Sequence, residues 1–175
     1  MGQVRFEPLT VRCAQALSKR CMALSCELTA VGTLQWSDTE AGYTLPWLGL
    51  DQTHKYYQND GGYQPEELTT IHNWYSMQHA YLIEQMAKVE VYGGSMLDQS
   101  VVFFGSQHQN PATHPKVDMP FMLAGSGGGL RTNRWLTFDH PSHNDLLVSI
   151  FNLFGDRRTR FGDFQYCSGP LAGLT

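Results

Sequence analysis

Residues 101–104 read Val-Val-Phe-Phe, with no polar side chain in the alternation. A strand of this kind is apolar on both faces, and both must be covered, as in a helix-covered parallel sheet. Gly105, Ser106, Gln107, His108 and Gln109 follow, then a loop with Asn110, Pro111, His114, Pro115 and Asp118. A second apolar run occupies 120–124. In open α/β sheets, reactive groups collect beyond the carboxyl ends of the strands. Asp139, His140, Ser142, His143, Asn144 and Asp145 stand at the head of a later amphipathic run. Four of the seven histidines fall in these two segments, which makes them the first place to look for chemistry.

The rest of the pattern supplies elements to cover such a strand. Leu9, Cys13, Ala16, Leu17, Cys21 and Leu24 recur at three- and four-residue steps and predict a helix over 9–26. Residues 28–36 are β-branched enough to predict a strand. Residues 37–64 read as a long loop, and a loop of that length is either functional or hides an element. Pro65, Glu66 and Glu67 suit a first helical turn: proline has no N–H to lose there, and carboxylates favour the positive dipole end. That helix runs to about Val89, with Leu68, Ile71, Trp74, Tyr75, Leu82 and Met86 on its stripe, and Gly93-Gly94 stops it. Strands are expected at 100–105, 119–124 and 135–138, and a helix at 143–154 ended by Gly155. At 175 residues the chain reads as one domain, able to bury roughly 70% of its unfolded surface.

Several function classes are excluded. A net charge of −4 with no run of Lys or Arg leaves no basic stripe for nucleic acid. No apolar stretch nears the roughly 18 residues that span a bilayer. Residues 1–10 lack the basic and apolar regions of a signal peptide, so none is expected. Cys13, Cys21, Cys26 and Cys167 form no C-x-x-C pair and read as small buried hydrophobes, with a disulfide among them left open. The run Gly125-Ser126-Gly127-Gly128-Gly129 is no phosphate loop, because turn and strand rather than helix follow it and no Lys-Ser/Thr pair closes it. No Gly-x-Ser-x-Gly elbow is present to anchor a serine triad.

His72 and His79, seven residues apart, share a helix face but rise about 10.5 Å, too far for one metal, and read as structural. His108 and His114 bracket a proline-bearing loop that can turn both rings toward one point. Asp118 could add a carboxylate, and this donor mixture suits a divalent metal. Ser142 and Asp145 fit a capping box, and His143 beside the positive helix end is expected to be neutral and open to a metal or an anion. Asp51, His54, Lys55, Tyr56, Tyr57, Asn59 and Asp60 make a polar, aromatic patch that could line a substrate cleft.

The runs 97–106, 118–129 and 143–155, with Arg160-Phe161-Gly162-Asp163 and 169–174, resemble the carboxyl-terminal part of an uncharacterised family of exported bacterial proteins. That family is related to the sulfatase-like and alkaline-phosphatase-like hydrolases. Residues 26–31, 43–49 and 71–75 extend the resemblance over most of the chain. It implies an α/β fold: part of a three-layer α/β/α, alkaline-phosphatase-like domain with a mixed, mostly parallel sheet. It also implies zinc or another divalent metal serving phosphate- or sulfate-ester hydrolysis, and a periplasmic or extracellular location. His114 and His143 are the residues it carries over. The chain departs from the family at Gln107, where an acidic residue is usual, and around His54, where His pairs are usual. The superfamily's nucleophile region is expected to lie outside these residues.

The candidates are therefore His108, His114, Asp118 and His143 for metal, and His54, Lys55, Gln107 and Asn144 for substrate. Two functions follow as expectations. One is a non-catalytic or degenerate member acting as a binding or assembly subunit; the other is a metal-dependent hydrolase of phosphate or sulfate esters. Half of a doubly wound domain leaves a sheet edge and an apolar face uncovered, so a homo-oligomer or a complex with another chain is expected.

Overall fold

The computed structural model describes residues 8–36, 41–139 and 141–174. His140 and the first seven residues lie outside the described residues, as does the side chain of Cys13. The chain divides into two compact units, Met1–Gln85 with Phe104–Phe121, and Met86–Phe103 with Met122–Thr175.

In the first unit, α1 spans Pro8–Ser25 and buries Leu17 and Cys21, as its periodicity predicts. The strand expected at 28–36 is irregular chain instead, with Leu28 79% and Val31 75% exposed. Thr29 explains part of this: its hydroxyl bonds the backbone of Val31 in both directions, a local turn that competes with pairing to a neighbour. The Arg20 guanidinium then holds the Thr33 carbonyl (3.2 Å) against α1.

The long stretch before Pro65 does hide structure. Thr44 and Thr53 form an antiparallel bridge, Pro46–Leu48 is one 3-10 turn, and Tyr56–Asp60 is a π-turn. The turn reverses at Gly49, whose φ of 76° is a left-handed value that favours glycine. α2 spans Pro65–Lys88 with Glu66 and Glu67 in its first turn. Its Leu68, Ile71, Trp74 and Tyr75 pack with Leu45, Leu50 and Tyr57 as the core of this unit, and Trp36, Trp47 and Phe104 lie against it.

The second unit begins with β1 (Glu90–Val91) and β2 (Gly94–Ser95), a hairpin paired Val91 to Gly94. Its two turn residues, Tyr92 and Gly93, both have positive φ (49° and 80°), the twist-matching turn of two-residue hairpins. Gly93-Gly94 thus belongs to a hairpin and is not the helix stop expected of it, because α2 ends at Lys88 and β1 lies between. α3 (His143–Leu153) buries Leu146, Val148 and Leu153, and Gly155 follows it in the left-handed region. The strand expected at 135–138 is absent: Trp135 is 88% exposed, and Arg134 is tied to the carbonyls of Arg131 and Leu174. At Gly128 a Cβ would meet the backbone of Leu153, so the glycine run serves close packing under α3.

β3 (Val102–Gly105) and β4 (Phe121–Ala124) pair only with each other, antiparallel. The expected three-layer α/β/α fold with a mixed, mostly parallel sheet is therefore overturned. Among the described residues the sheets are two, each of two short antiparallel strands. Parallel pairing needs a crossover, usually a helix. The link from β3 to β4 carries three prolines and forms no helix, so the strands meet head to tail. Nor is β3 covered on both faces: exposure alternates along it, and Phe103 is 39% exposed. No helix among the described residues is long and apolar enough to cross a membrane.

Candidate functional site

The loop between β3 and β4 is organised by Asn110. Its side-chain oxygen accepts the N–H groups of Ala112 (2.8 Å) and Thr113 (3.3 Å), and its carbonyl accepts that of His114 (3.0 Å). The Gln109 N–H returns to the Pro115 carbonyl, and His114 takes a left-handed φ of 56°. This reversal sets the His108 and His114 rings 4.9 Å apart, centroid to centroid. His108 is half-buried, and its Nδ1 is buried with no hydrogen-bond partner among the described residues. Gln58 fastens the loop by donating its amide to the Pro111 carbonyl (3.1 Å). Gln107, His114 and Asp118 are exposed. Two convergent imidazoles, one with an unused nitrogen, match two corners of a zinc cage. Among the described residues, no group of three His, Cys, Asp or Glu side chains is placed to hold a metal.

His54 sits elsewhere in the same unit. The Thr44–Thr53 bridge puts Tyr43 opposite His54, whose N–H donates to the Tyr43 carbonyl (3.1 Å). The Tyr43 hydroxyl lies 3.3 Å from His54 Nδ1 and also contacts the Tyr75 hydroxyl. His72, one helical turn before Tyr75 on α2, brings its ring to 6.1 Å from that of His54. Trp36 and Trp74 pack on Tyr75 at 6.3 and 5.3 Å. His54 is only 7% exposed. Burial, reinforced by His72, pulls its pKa down to about 4, so the ring is neutral across the physiological range. Crowding around its ring also lowers His72. Lys55 is half-buried at the following position, its N–H on the Ala41 carbonyl. His79 is stacked on Phe104 at 4.5 Å, with its Nε2 buried and lacking a partner among the described residues.

In the second unit His143 is exposed at the head of α3 and stacks near Phe103 (6.0 Å). Its pKa is lowered, and the cause is loss of hydration. Half-buried Asn144 directs its amide toward Gly162. The capping box forms: the Asp145 N–H donates to the Ser142 hydroxyl, and the Ser142 N–H donates to the Asp145 carboxylate (2.9 Å). The same carboxylate accepts N–H bonds from Ser168 (2.6 Å) and Gly169 (3.0 Å). Burial would raise the Asp145 pKa, but these bonds and the Cys167 thiol hold it below the usual value. A cavity of about 240 Å³ beside it is lined by Phe138, Asp139, Pro141 and Leu171. That is below the roughly 300 Å³ at which small-molecule pockets begin. Cys21, Cys26 and Cys167 are free thiols.

Comparison of the chain with protein-family models, curated proteins and solved structures gives no match. Of the predicted metal residues, the structure brings His108 and His114 together. His54 is a sequence candidate, but its neighbours Tyr43 and Tyr75 are not, and His72 reads from sequence as structural only. Their signal was the three-residue spacing of His72 and Tyr75, which puts both on one helix face. The pairing of residues 43 and 54 had no such signal.

Proposed function

We propose that this chain is a non-catalytic binding or assembly subunit that associates with a second copy of itself through residues 151–166. The supporting observation is an outward-facing mixture of rings and charges. Phe154, Phe164 and Tyr166 are 61%, 67% and 65% exposed. The Arg158 guanidinium stands 4.0 Å over the Phe151 ring, and Arg160 stands over Phe164. At about 200 Å² per aromatic side chain, the three exposed rings offer on the order of 400 Å². That is about half of what each partner buries in a standard interface. Arg157, Arg158 and Arg160 lie between Asp156 and Asp163, and Asp156 is bound to Arg158 of the same chain (2.5 Å), so Arg157, Arg160 and Asp163 carry the charge complementarity of the surface to itself about a two-fold axis. Analytical ultracentrifugation is expected to find a dimer at micromolar concentration, and Phe164→Ser with Tyr166→Ser to yield monomer. A wild-type monomer up to a millimolar would overturn the reading. Export to the periplasm or beyond rests on the family resemblance alone.

A second reading, a metal-dependent hydrolase of phosphate or sulfate esters, is favoured by the unpartnered Nδ1 of His108 beside His114. These two rings would hold a zinc ion, whose Lewis acidity would polarise the ester. Stoichiometric zinc, retained through dialysis and lost in His114→Ala, is the expected result on this reading. Absence of zinc and of esterase activity after zinc loading would dispose of it.

A further inference from the structure

We propose that Tyr43 is a redox-active tyrosine, oxidised reversibly by one electron through an aromatic relay that begins at Trp47. Its reaction partner is an outer-sphere one-electron oxidant of high potential, acting at the surface of the first unit. This activity is independent of the assembly reading and of the His108–His114 pair. The relay is a set of rings in unbroken contact within that unit. Half-buried Trp47 lies 5.6 Å from buried Trp74, centroid to centroid, and Trp74 lies 5.3 Å from Tyr75. The Tyr75 hydroxyl touches that of Tyr43. Half-buried Trp36 joins the same rings, 5.9 Å from Trp74 and 6.3 Å from Tyr75. Rings at these separations are packed against each other, so an electron crosses no more than a van der Waals gap at each step.

Proton acceptors decide where the oxidation comes to rest. The indole Nε1–H can only donate, and in Trp47 and Trp74 it is buried with no partner among the described residues. An indole oxidised there has nowhere to send its proton. It stays a cation in an apolar core, which is costly, and draws an electron from the next ring. Tyr43 differs, because its hydroxyl hydrogen-bonds with His54 Nδ1 (3.3 Å). With Tyr75 donating to Tyr43, the Tyr43 O–H is free to face the Nδ1 lone pair of the neutral imidazole. Tyr43 then gives one electron through Tyr75, Trp74 and Trp47 to the oxidant, and its phenol proton to Nδ1. The O–H bond breaks as the N–H bond forms. The products are a neutral phenoxyl radical, an imidazolium and the oxidant reduced by one electron. Return of an electron restores the phenol, and the buried imidazolium hands the proton back.

The test is flash oxidation of the protein by photogenerated tris(bipyridine)ruthenium(III), followed by transient absorption and freeze-quenched electron paramagnetic resonance. The expected result is a short-lived tryptophan radical that gives way to a long-lived neutral tyrosyl radical. Tyr43→Phe should lose the long-lived signal while far-ultraviolet circular dichroism stays unchanged. Tyr92→Phe, at a position 79% exposed, should keep it. His54→Phe should lower the yield by removing the proton acceptor, and Trp74→Phe should slow formation by interrupting the relay. Absence of a long-lived tyrosyl radical in the wild-type chain would overturn the proposal. So would a signal that survives Tyr43→Phe, or one formed with the same yield in His54→Phe or at the same rate in Trp74→Phe.

Discussion

Asp145→Ala will be among the most destabilising single substitutions in the chain, costing about 4 kcal/mol. The carboxylate is 2% exposed and accepts three backbone N–H groups, from Ser142, Ser168 and Gly169. Hydrogen bonds to a charged acceptor contribute about 1.5–3 kcal/mol each, and each buried donor left unpaired costs about 1–3 kcal/mol. Partial rehydration of the freed tail keeps the total below their sum. Loss of the helix cap alone accounts for about 1 kcal/mol. For a chain of this length the melting temperature should fall by roughly 10 °C. Asp145→Asn retains the shape but turns a donor toward at least one N–H, so about half the loss is expected. Urea denaturation measures both. A loss below about 1 kcal/mol for the alanine variant would show that the carboxylate does not hold the chain near Ser168 in place.

The second large effect is on acid stability. His54 is neutral in the folded protein down to about pH 4, whereas its ordinary value is 6.5. The unfolded chain therefore binds more protons between these values, and stability rises with pH across that window. The contribution is complete above pH 6.5 and is lost progressively as pH falls toward 4. A shift of this size corresponds to about 3 kcal/mol. His72, His79 and His143 are lowered as well and act in the same direction. Asp145 acts in a separate, more acid range: its stabilisation is complete above its unfolded value of 3.8 and disappears below that as the folded carboxyl is protonated. Urea midpoints of chelator-treated protein between pH 7.5 and 4.5 should fall steeply, and much less so in His54→Asn. A flat profile for the wild-type chain would contradict the buried, neutral state of His54.

These two residues show what a sequence makes legible. Ser142 and Asp145 announce a capping box by spacing alone, and the box is present. The second duty of Asp145, holding Ser168 and Gly169, spans more than twenty residues and leaves no local trace. The three long helices were readable because each carries its own apolar period, and α2 and α3 carry start signals as well. The strands were not. Val101 to Phe104 has the composition of a covered parallel strand, but strand identity depends on the partner, and the partner here is the next run in sequence, paired antiparallel. Leu28 to Trp36 and Trp135 to Phe138 have strand-like residues with no strand paired to them among the described residues, and local side-chain bonds from Thr29 and Arg134 take over. The His108–His114 approach could be anticipated because Asn110, Pro111 and Pro115 force a compact loop. Tyr43 meeting His54 depends on a single bridge inside a segment that reads as loop.

The assembly claim meets its most direct test in charge-complementary variants. Arg157→Glu with Arg160→Glu makes the 151–166 surface acidic, and Asp156→Lys with Asp163→Lys makes it basic. Each variant alone should sediment as monomer because like charges then face each other, and an equimolar mixture should form a heterodimer at least as tight as the wild-type dimer. If both variants self-associate as the wild type does, or if the mixture stays monomeric, that surface is not where the copies meet.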